Sequence, residues 1–549
     1  MLIVMTTPRH IVIIGGVAAG MSTATRLRRL DEHAEITVLE RSAHVSFANC
    51  GLAYHIGGVI PERDDLLLQT PERLAARFRL DVRVNSEVTA IDPAARTVTL
   101  HGEPLTYDEL VIATGAAPII PPIPGAEHLL ALRSIEDTDR LSAAVNALPP
   151  NAPAVVAGGG YIGLELIENL VRRGLRVTLV QRNDHVLTLD PELAVLVEDR
   201  IRESGVDLRL GETLSAVTDD SVTLDDGTII AAAVAMAAIG VRAESVLAVA
   251  AGIRLGSTGA IVVDSQHRTS APHIWAVGDV AEKVSAIDGV ARPVMLAGPA
   301  NRDGRYLADA LAGADGTSRP ALGTAILELF GLTIASFGMT EATADRPVRI
   351  IHTHPASHAT YYPGSETMTI KLVVDAATDL ILGAQIIGGA GVDKRIDVLA
   401  TAANAGLTAS ALADLELAYA PQYGSAKDPI NMLGYVARNR REGQSRSIQW
   451  HELGEELDAG ALLVDVRTPE EFASGAIPSA VNVCLDELRN RVHELGAGRI
   501  IVHCQVGQRG HTAASVLTHL GFDAVNLDGG YLTWLAGERS RQPQPLGTR

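Results

Sequence analysis

Two cysteines stand in settings where a thiol can do chemistry. Cys50 lies in Ser46-Phe47-Ala48-Asn49-Cys50-Gly51, shortly after the glycine-rich stretch Gly15-Gly16-Val17-Ala18-Ala19-Gly20 and the acidic Glu40. A sulfur just past a dinucleotide-binding turn is placed to exchange electrons with a cofactor. Cys504 opens Cys504-Gln505-Val506-Gly507-Gln508-Arg509, between the apolar run Arg499–His503 and a predicted helix over His511–Leu520. Successive N–H groups in such a loop, together with a helix N-terminus, favour a thiolate, and Arg509 follows in reach of an anion. Cys484, in the apolar stretch Ala480–Leu485, is expected in the core, with an accessory sulfur acceptor as the alternative.

The elements around these thiols alternate strand and helix. His10–Ile14 is a continuous apolar run suited to a central parallel strand, and Ile36–Glu40 is the next strand. Gly15, Gly16 and Gly20 let the backbone approach a pyrophosphate at a helix N-terminus, and Glu40 can accept from a ribose hydroxyl. The middle glycine of the fingerprint is replaced by Val17. A full copy, Gly158-Gly159-Gly160-Tyr161-Ile162-Gly163, stands between predicted strands Ala154–Ala157 and Val177–Val180, so two dinucleotides are expected. The second of these strands ends in neutral Gln181 followed by Arg182, which sets no carboxylate against a 2′-phosphate on the dinucleotide bound there. Further strands are predicted over Tyr107–Gly115, Ile274–Val280, Thr367–Val374, Leu382–Ile387 and Ala461–Arg467, with a helix opening at Leu296–Arg302. Ser22, Arg26 and Arg29 share one helical face and could meet an anionic ligand. His352, His354 and His358 have no carboxylate or cysteine near them in sequence, and no metal site is expected.

At 549 residues the chain must hold several cores. Its net charge of −19 argues against nucleic-acid and anionic-membrane partners. The longest apolar run, Ile229–Val241, is too short for a bilayer. Met1–Ile14 leads into a glycine turn and is taken as a first strand rather than a signal peptide. Three cysteines make no disulfide framework and suit a reducing compartment, so a cytoplasmic protein is expected.

The motif around Cys50, with Thr114-Gly115, Gly278-Asp279, Leu417-Ala418-Tyr419-Ala420-Pro421 and Ser425-Ala426-Lys427-Asp428-Pro429, resembles the single-cysteine branch of the flavoprotein pyridine nucleotide-disulfide oxidoreductases. That branch includes coenzyme A disulfide reductases, NADH oxidases and peroxidases, and persulfide reductases. Dithiol members carry C-x4-C; here His55 takes the second position, so Cys50 works alone. Residues 448–540, with Asp465-Val466-Arg467-Thr468-Pro469-Glu470-Glu471-Phe472, the Cys504 loop and Asp528-Gly529-Gly530-Tyr531, resemble a rhodanese domain, although Ala476 stands where a histidine is common.

The resemblance implies an α/β chain with two Rossmann-like domains, an α+β dimerisation domain and a rhodanese domain. Its boundaries are 1–150 and 246–322 for FAD, 151–245 for NAD(P)H, 323–437 for dimerisation, a polar linker over 438–447, and 448–540 for rhodanese. The FAD residues implied are Gly15, Gly16, Gly20, Glu40, Arg41, Thr114, Gly115, Asp279 and Ala297; those for the nicotinamide are Gly158, Gly160, Gly163, Gln181 and Gly240. Coenzyme A would meet Ser22, Arg26, Arg29, Ser46, Asn49 and Lys427. Tyr361 and Tyr419 would donate to a leaving thiolate across a homodimer, and Cys504, with Arg509, would carry sulfane sulfur. The implied activity is NAD(P)H-dependent reduction of coenzyme A disulfide, coenzyme A persulfide or polysulfide. An oxidase or peroxidase cycling through a Cys50 sulfenate, and a non-catalytic sulfur carrier or redox sensor, are the alternatives.

Overall fold

The computed structural model describes residues 8–542; Met1–Thr7, part of the run Met1–Ile14 taken above as a first strand, lie outside them. The chain divides into two compact units, residues 1–182 with 212–323 and residues 183–211 with 324–549. The stretch 183–211, inside the expected nicotinamide domain, thus falls in the second unit.

In the first unit a five-stranded sheet runs in the order Ile274–Ala276, Glu109–Ile112, His10–Ile14, Glu35–Leu39, Asp81–Arg83. All its pairings are parallel, with Val12 opposite Thr37 and Leu110. The apolar run of the central strand is explained by burial on both faces: Ile11 and Ile13 enter one core, Val12 and Ile14 the other. The helix Ala18–Leu30 follows, and Ala297–Leu311 lies against it at Gly304, where a Cβ would stand 2.4 Å from the carbonyl oxygen of Ala19. A second parallel layer pairs Arg176–Gln181, Pro153–Ala157, Val234–Ala237 and Leu129–Leu130. Ala116–Pro118 and Val241–Ala243 pair antiparallel. The strands predicted over Tyr107–Gly115 and Ile274–Val280 are shorter: left-handed Gly115 bends the first, and a 3-10 turn over Gly278–Val280 ends the second.

The second unit holds an antiparallel sheet in the order Ala325–Leu329, Leu332–Gly338, Ile381–Gly388, Thr369–Asp375, Val348–Thr353, backed by the helix Val392–Asn404. It also holds a parallel sheet in the order Ser447–Ile448, Asp523–Leu527, Arg499–His503, Leu462–Asp465, Val481–Asn482. The segment expected as a polar linker is only partly one. The helix Pro429–Arg441 runs through its first half, because Arg438 pairs with Asp414 and Arg440 with the buried Asp528.

A cluster of charges joins the parts of this unit. The Lys371 ammonium lies 2.9 Å from Asp190, 2.5 Å from Glu192 and 2.7 Å from Glu341. Glu192 also meets His352 Nε2 at 3.0 Å, and His352 donates its backbone N–H to Asp528 at 2.9 Å. Carboxylates do therefore join His352, against the sequence-based expectation, but they arrive from residues 160 and 176 positions away. Asp190, Glu192 and Glu341 have the spacing of a cation site, and the Lys371 ammonium supplies the positive charge there. Among the described residues no helix is long and apolar enough to cross a membrane.

Candidate redox and sulfur sites

The two glycine turns are built alike. Gly15 and Gly158 share a φ of +108°, and a Cβ on either would lie within about van der Waals overlap of a carbonyl, 2.2 Å from Ala113 and 2.3 Å from Ala238. A Cβ on Gly20 or Gly163 would stand 2.0 or 1.8 Å from the carbonyl of Gly15 or Gly158, so helix and strand can close only on glycine. Gly160, the counterpart of Val17, has nothing within 4 Å of its missing Cβ. That position tolerates a side chain, which is why the imperfect first fingerprint folds as the full one does. Each turn is tied to the end of its second strand: Gly16 N–H donates to Glu40 at 2.8 Å and Gly159 N–H to Gln181 at 3.0 Å. The other Glu40 oxygen takes the N–H and hydroxyl of Ser42.

The first turn fits a flavin dinucleotide. Asp279 Oδ1 is buried without a partner while Oδ2 accepts from Arg133 at 3.2 Å, an orphaned acceptor at the sheet's carboxyl end. Thr114 donates to the carbonyl of Glu244, Gly115 is left-handed, Arg41 lies 3.7 Å from Glu244, and Ala297 begins its helix. Gly240, at φ +118°, leads into the strand Val241–Ala243.

Cys50 sits in a 3-10 turn, Asn49–Gly51, with its side chain exposed. Ser46, at φ +47°, donates its N–H to the carbonyl of Gly16, bringing the cysteine segment onto the first glycine turn. Asn49 donates to the carbonyl of Arg133 at 3.4 Å and keeps a buried Oδ1 without a partner. The Cys50 thiol is pushed up by partial burial, then by the charges of Glu165 and Asp279, while Arg133 pulls it down. Glu165 is itself pushed up to about 7 by burial, with a Tyr54 hydrogen bond at 3.4 Å opposing and Glu168 reinforcing. His55 turns its Nδ1 to the carbonyl of Ile60 at 2.8 Å. Sequence reasoning missed Tyr54, Arg133 and Glu165; only an acid inside the apolar helix Tyr161–Arg172 signalled the last of them.

The proposed anion stripe is partly spent. Arg26 pairs with Asp309 at 2.8 Å and Ser22 donates to Asn301 at 2.5 Å, leaving Arg29 exposed. In the second unit Lys427 is exposed, and the exposed Tyr361 and Tyr419 share a hydroxyl–hydroxyl hydrogen bond of 2.8 Å.

Cys504 follows the strand Arg499–His503 and is fully buried, and left-handed Gly507 starts the helix Gln508–His519. Asn526 and Tyr531 fix the loop from outside, through the carbonyl of Gly507 at 3.2 Å and that of Cys504 at 2.8 Å. Arg509 contacts Cys504 and forms two bonds to Glu471, of 2.7 and 2.6 Å. Arg467, wholly buried, holds Asp465, donates to Gln505 at 3.0 Å and stacks 4.3 Å from the Tyr531 ring. Cys484 is half-buried rather than in the core, because the chain leaves the edge strand Val481–Asn482 just before it.

Comparison with known proteins matches residues 9–304 to the family model described as pyridine nucleotide-disulphide oxidoreductase, 325–428 to its dimerisation domain and 449–537 to a rhodanese-like domain. The chain is 34% identical over 440 residues to the coenzyme A disulfide reductase of Staphylococcus haemolyticus, covering 78% of this chain and all of that one. It superposes on the reduced CoADR-RHD of Bacillus anthracis with a TM-score of 0.95 at 43% identity, covering 97% and 99% of the two chains. The NAD-dependent persulfide reductase of A. fulgidus gives a TM-score of 0.89 at 35% identity, covering 96% and 100%.

Proposed function

Since the chain belongs to the pyridine nucleotide-disulphide oxidoreductase family, we propose that it reduces coenzyme A disulfide, coenzyme A persulfide or polysulfide with NAD(P)H, through one redox thiol, Cys50. The observation that carries this reading is that the exposed Cys50, with His55 in place of a second cysteine, shares its chain with a rhodanese-like domain. FAD, held by the Gly15–Gly20 turn, Glu40 and Asp279, supplies when bound the two-electron relay between nicotinamide and sulfur.

The chain's own residues do the rest. The Cys50 thiolate attacks one sulfur of coenzyme A disulfide; the S–S bond breaks, a coenzyme A thiolate leaves, and Cys50 holds a mixed disulfide. The same attack on the inner sulfur of the persulfide releases HS⁻. Arg133 favours the attacking thiolate, and Asn49 offers its unpartnered Oδ1. Tyr361 and Tyr419, hydrogen-bonded to each other, serve as proton donors from the dimerisation domain. Gln181 sets no carboxylate against a 2′-phosphate, so the second turn takes NADH and NADPH. Cys504 carries sulfane sulfur. A homodimer follows from the dimerisation domain, and three unpaired cysteines suit a reducing cytoplasm. An oxidase gives the Cys504 loop no work, and a sulfur carrier has no use for the turn at Gly158–Gly163.

The test is anaerobic NAD(P)H oxidation with coenzyme A disulfide, coenzyme A persulfide and polysulfide offered in turn. Cys50→Ser is expected to abolish every activity and Cys504→Ser to remove only polysulfide turnover. Turnover of none of these sulfur substrates, with NAD(P)H oxidised once air is admitted, would overturn the reading.

A further inference from the structure

The arginine that closes the sulfur loop is already matched by a carboxylate. Both terminal nitrogens of Arg509 are bound by Glu471, at 2.7 and 2.6 Å. This is not a loose surface pair. Glu471 is the third residue of the helix Pro469–Ala473, and its Oε2 also accepts the backbone N–H of Thr468 at 2.9 Å in a capping box, while Thr468 Oγ1 accepts the N–H of Glu471. The carboxylate is therefore fixed before any donor arrives, and Arg509 holds it well below the usual range, at about 2, so it stays charged. A second arginine beside the loop, Arg467, is spent on Asp465, Gln505 and the carbonyl of Gly475. His503, beneath the loop, is pushed down to about 4 by burial and is neutral.

Cys504 has no exposed surface, whereas the side chains of Arg509 and Glu471 are each about a third exposed, at 35% and 34%. The pair is therefore open to solvent where the thiol is not. From this geometry we infer that Glu471 is a specificity residue, which neutralises the Arg509 beside Cys504 and selects organic persulfides over the thiosulfate dianion as donors to Cys504. The inference rests on the sulfur-carrying role of Cys504 proposed above. With a persulfide, the Cys504 thiolate attacks the outer sulfur, the S–S bond of R–S–SH breaks, R–S⁻ leaves, and Cys504–S–SH remains. With thiosulfate the same attack expels sulfite and leaves Cys504–S–S⁻. At the reacting end a persulfide carries at most one negative charge, whereas thiosulfate carries two within one bond of the transferred sulfur.

The experiment is single-turnover loading of the full-length flavoprotein, followed as the mass gain of one sulfur atom on the peptide containing Cys504, with 2-hydroxyethyl persulfide, which carries a single charge, or thiosulfate as donor. Wild type is expected to load from the persulfide at least about tenfold faster. Glu471→Gln keeps the capping box, which accepts glutamine as well as glutamate, but removes the charge. It should raise the thiosulfate-to-persulfide rate ratio by about tenfold, the order expected of one charge at a half-exposed site. Glu471→Asp, which retains the charge, should change the ratio by less than about threefold. An unchanged or lower ratio in Glu471→Gln, or an equal rise in Glu471→Asp, overturns the inference. If Cys504 loads from neither donor, the sulfur-carrying role itself fails, whereas equal loading of wild type from both removes only the specificity role of Glu471.

Discussion

A thiol that passes electrons must be a thiolate for part of its cycle, and the groups around Cys50 pull it both ways. Burial and the carboxylate of Glu165 raise it, and Arg133 opposes them. Glu165 titrates at about 7, so its charge appears at Cys50 only as the pH rises through neutrality. Glu165→Gln is expected to speed alkylation of Cys50 by about three- to tenfold at pH near 8 and to change it little near pH 6, where the wild-type carboxyl is already protonated. Iodoacetamide rates across that range check this; equal acceleration at both ends would show that the charge is not the cause. The same group affects stability. Its folded value lies above the ordinary carboxyl value of 4.5, so between 4.5 and about 7 the folded chain keeps a proton that the unfolded chain has released. Stability from this site is therefore full below that window and is lost as pH rises through it, and the glutamine variant should lack this slope.

The glycine turns show what an element requires of its residues. Gly20→Ala would press a methyl against the carbonyl of Gly15, and Gly163→Ala against that of Gly158, at 2.0 and 1.8 Å. The first is expected to lose most of its flavin absorbance per chain. The second should keep its flavin and raise the KM for NAD(P)H by tenfold or more, about 1.4 kcal/mol. Swapped phenotypes would contradict the assignment of the two turns. These elements were legible in the sequence because close backbone approach leaves a residue-type signature, and Val17 departs from it at the one position where nothing crowds the Cβ. The Cys504 loop was legible for the same local reason. The groups that tune the thiols were not. Glu165 stands 115 positions beyond Cys50 in the numbering and Glu471 lies on another helix from Arg509; such pairs are set by the fold, and one sequence carries no trace of them. The supposed linker failed likewise, since Arg438–Arg441 read as polar and solvated until Asp414 and Asp528 were brought to them.

At the scale of the second unit, stability hangs on charges rather than on apolar packing alone. Lys371 faces three carboxylates while its own surface is fully buried. Lys371→Met would leave them facing one another, and breaking a buried network by removing one partner costs roughly 3–5 kcal/mol. Urea unfolding followed by the fluorescence of Trp450 and Trp534, both in this unit, is expected to show that loss, and a shift below 1 kcal/mol would mean that the carboxylates simply take up protons. Glu341 and Asp528 are held at about 2, in each case by bonds to cations and histidines that outweigh their burial. Their contribution is present above the ordinary values of 4.5 and 3.8 and is lost as pH falls toward 2, so this unit should open in acid within that window.

His55, turned to the carbonyl of Ile60 where a dithiol relative would keep its second sulfur, has one more consequence. A dithiol enzyme closes its own ring on oxidation and keeps no trace of what oxidised it. Here the only way to store the oxidised state at Cys50 is to hold an atom that came from elsewhere, so each oxidised molecule bears a tag of the compound it last met. The mass of the Cys50 adduct in protein taken straight from its cell is then a record of diet, written one molecule at a time.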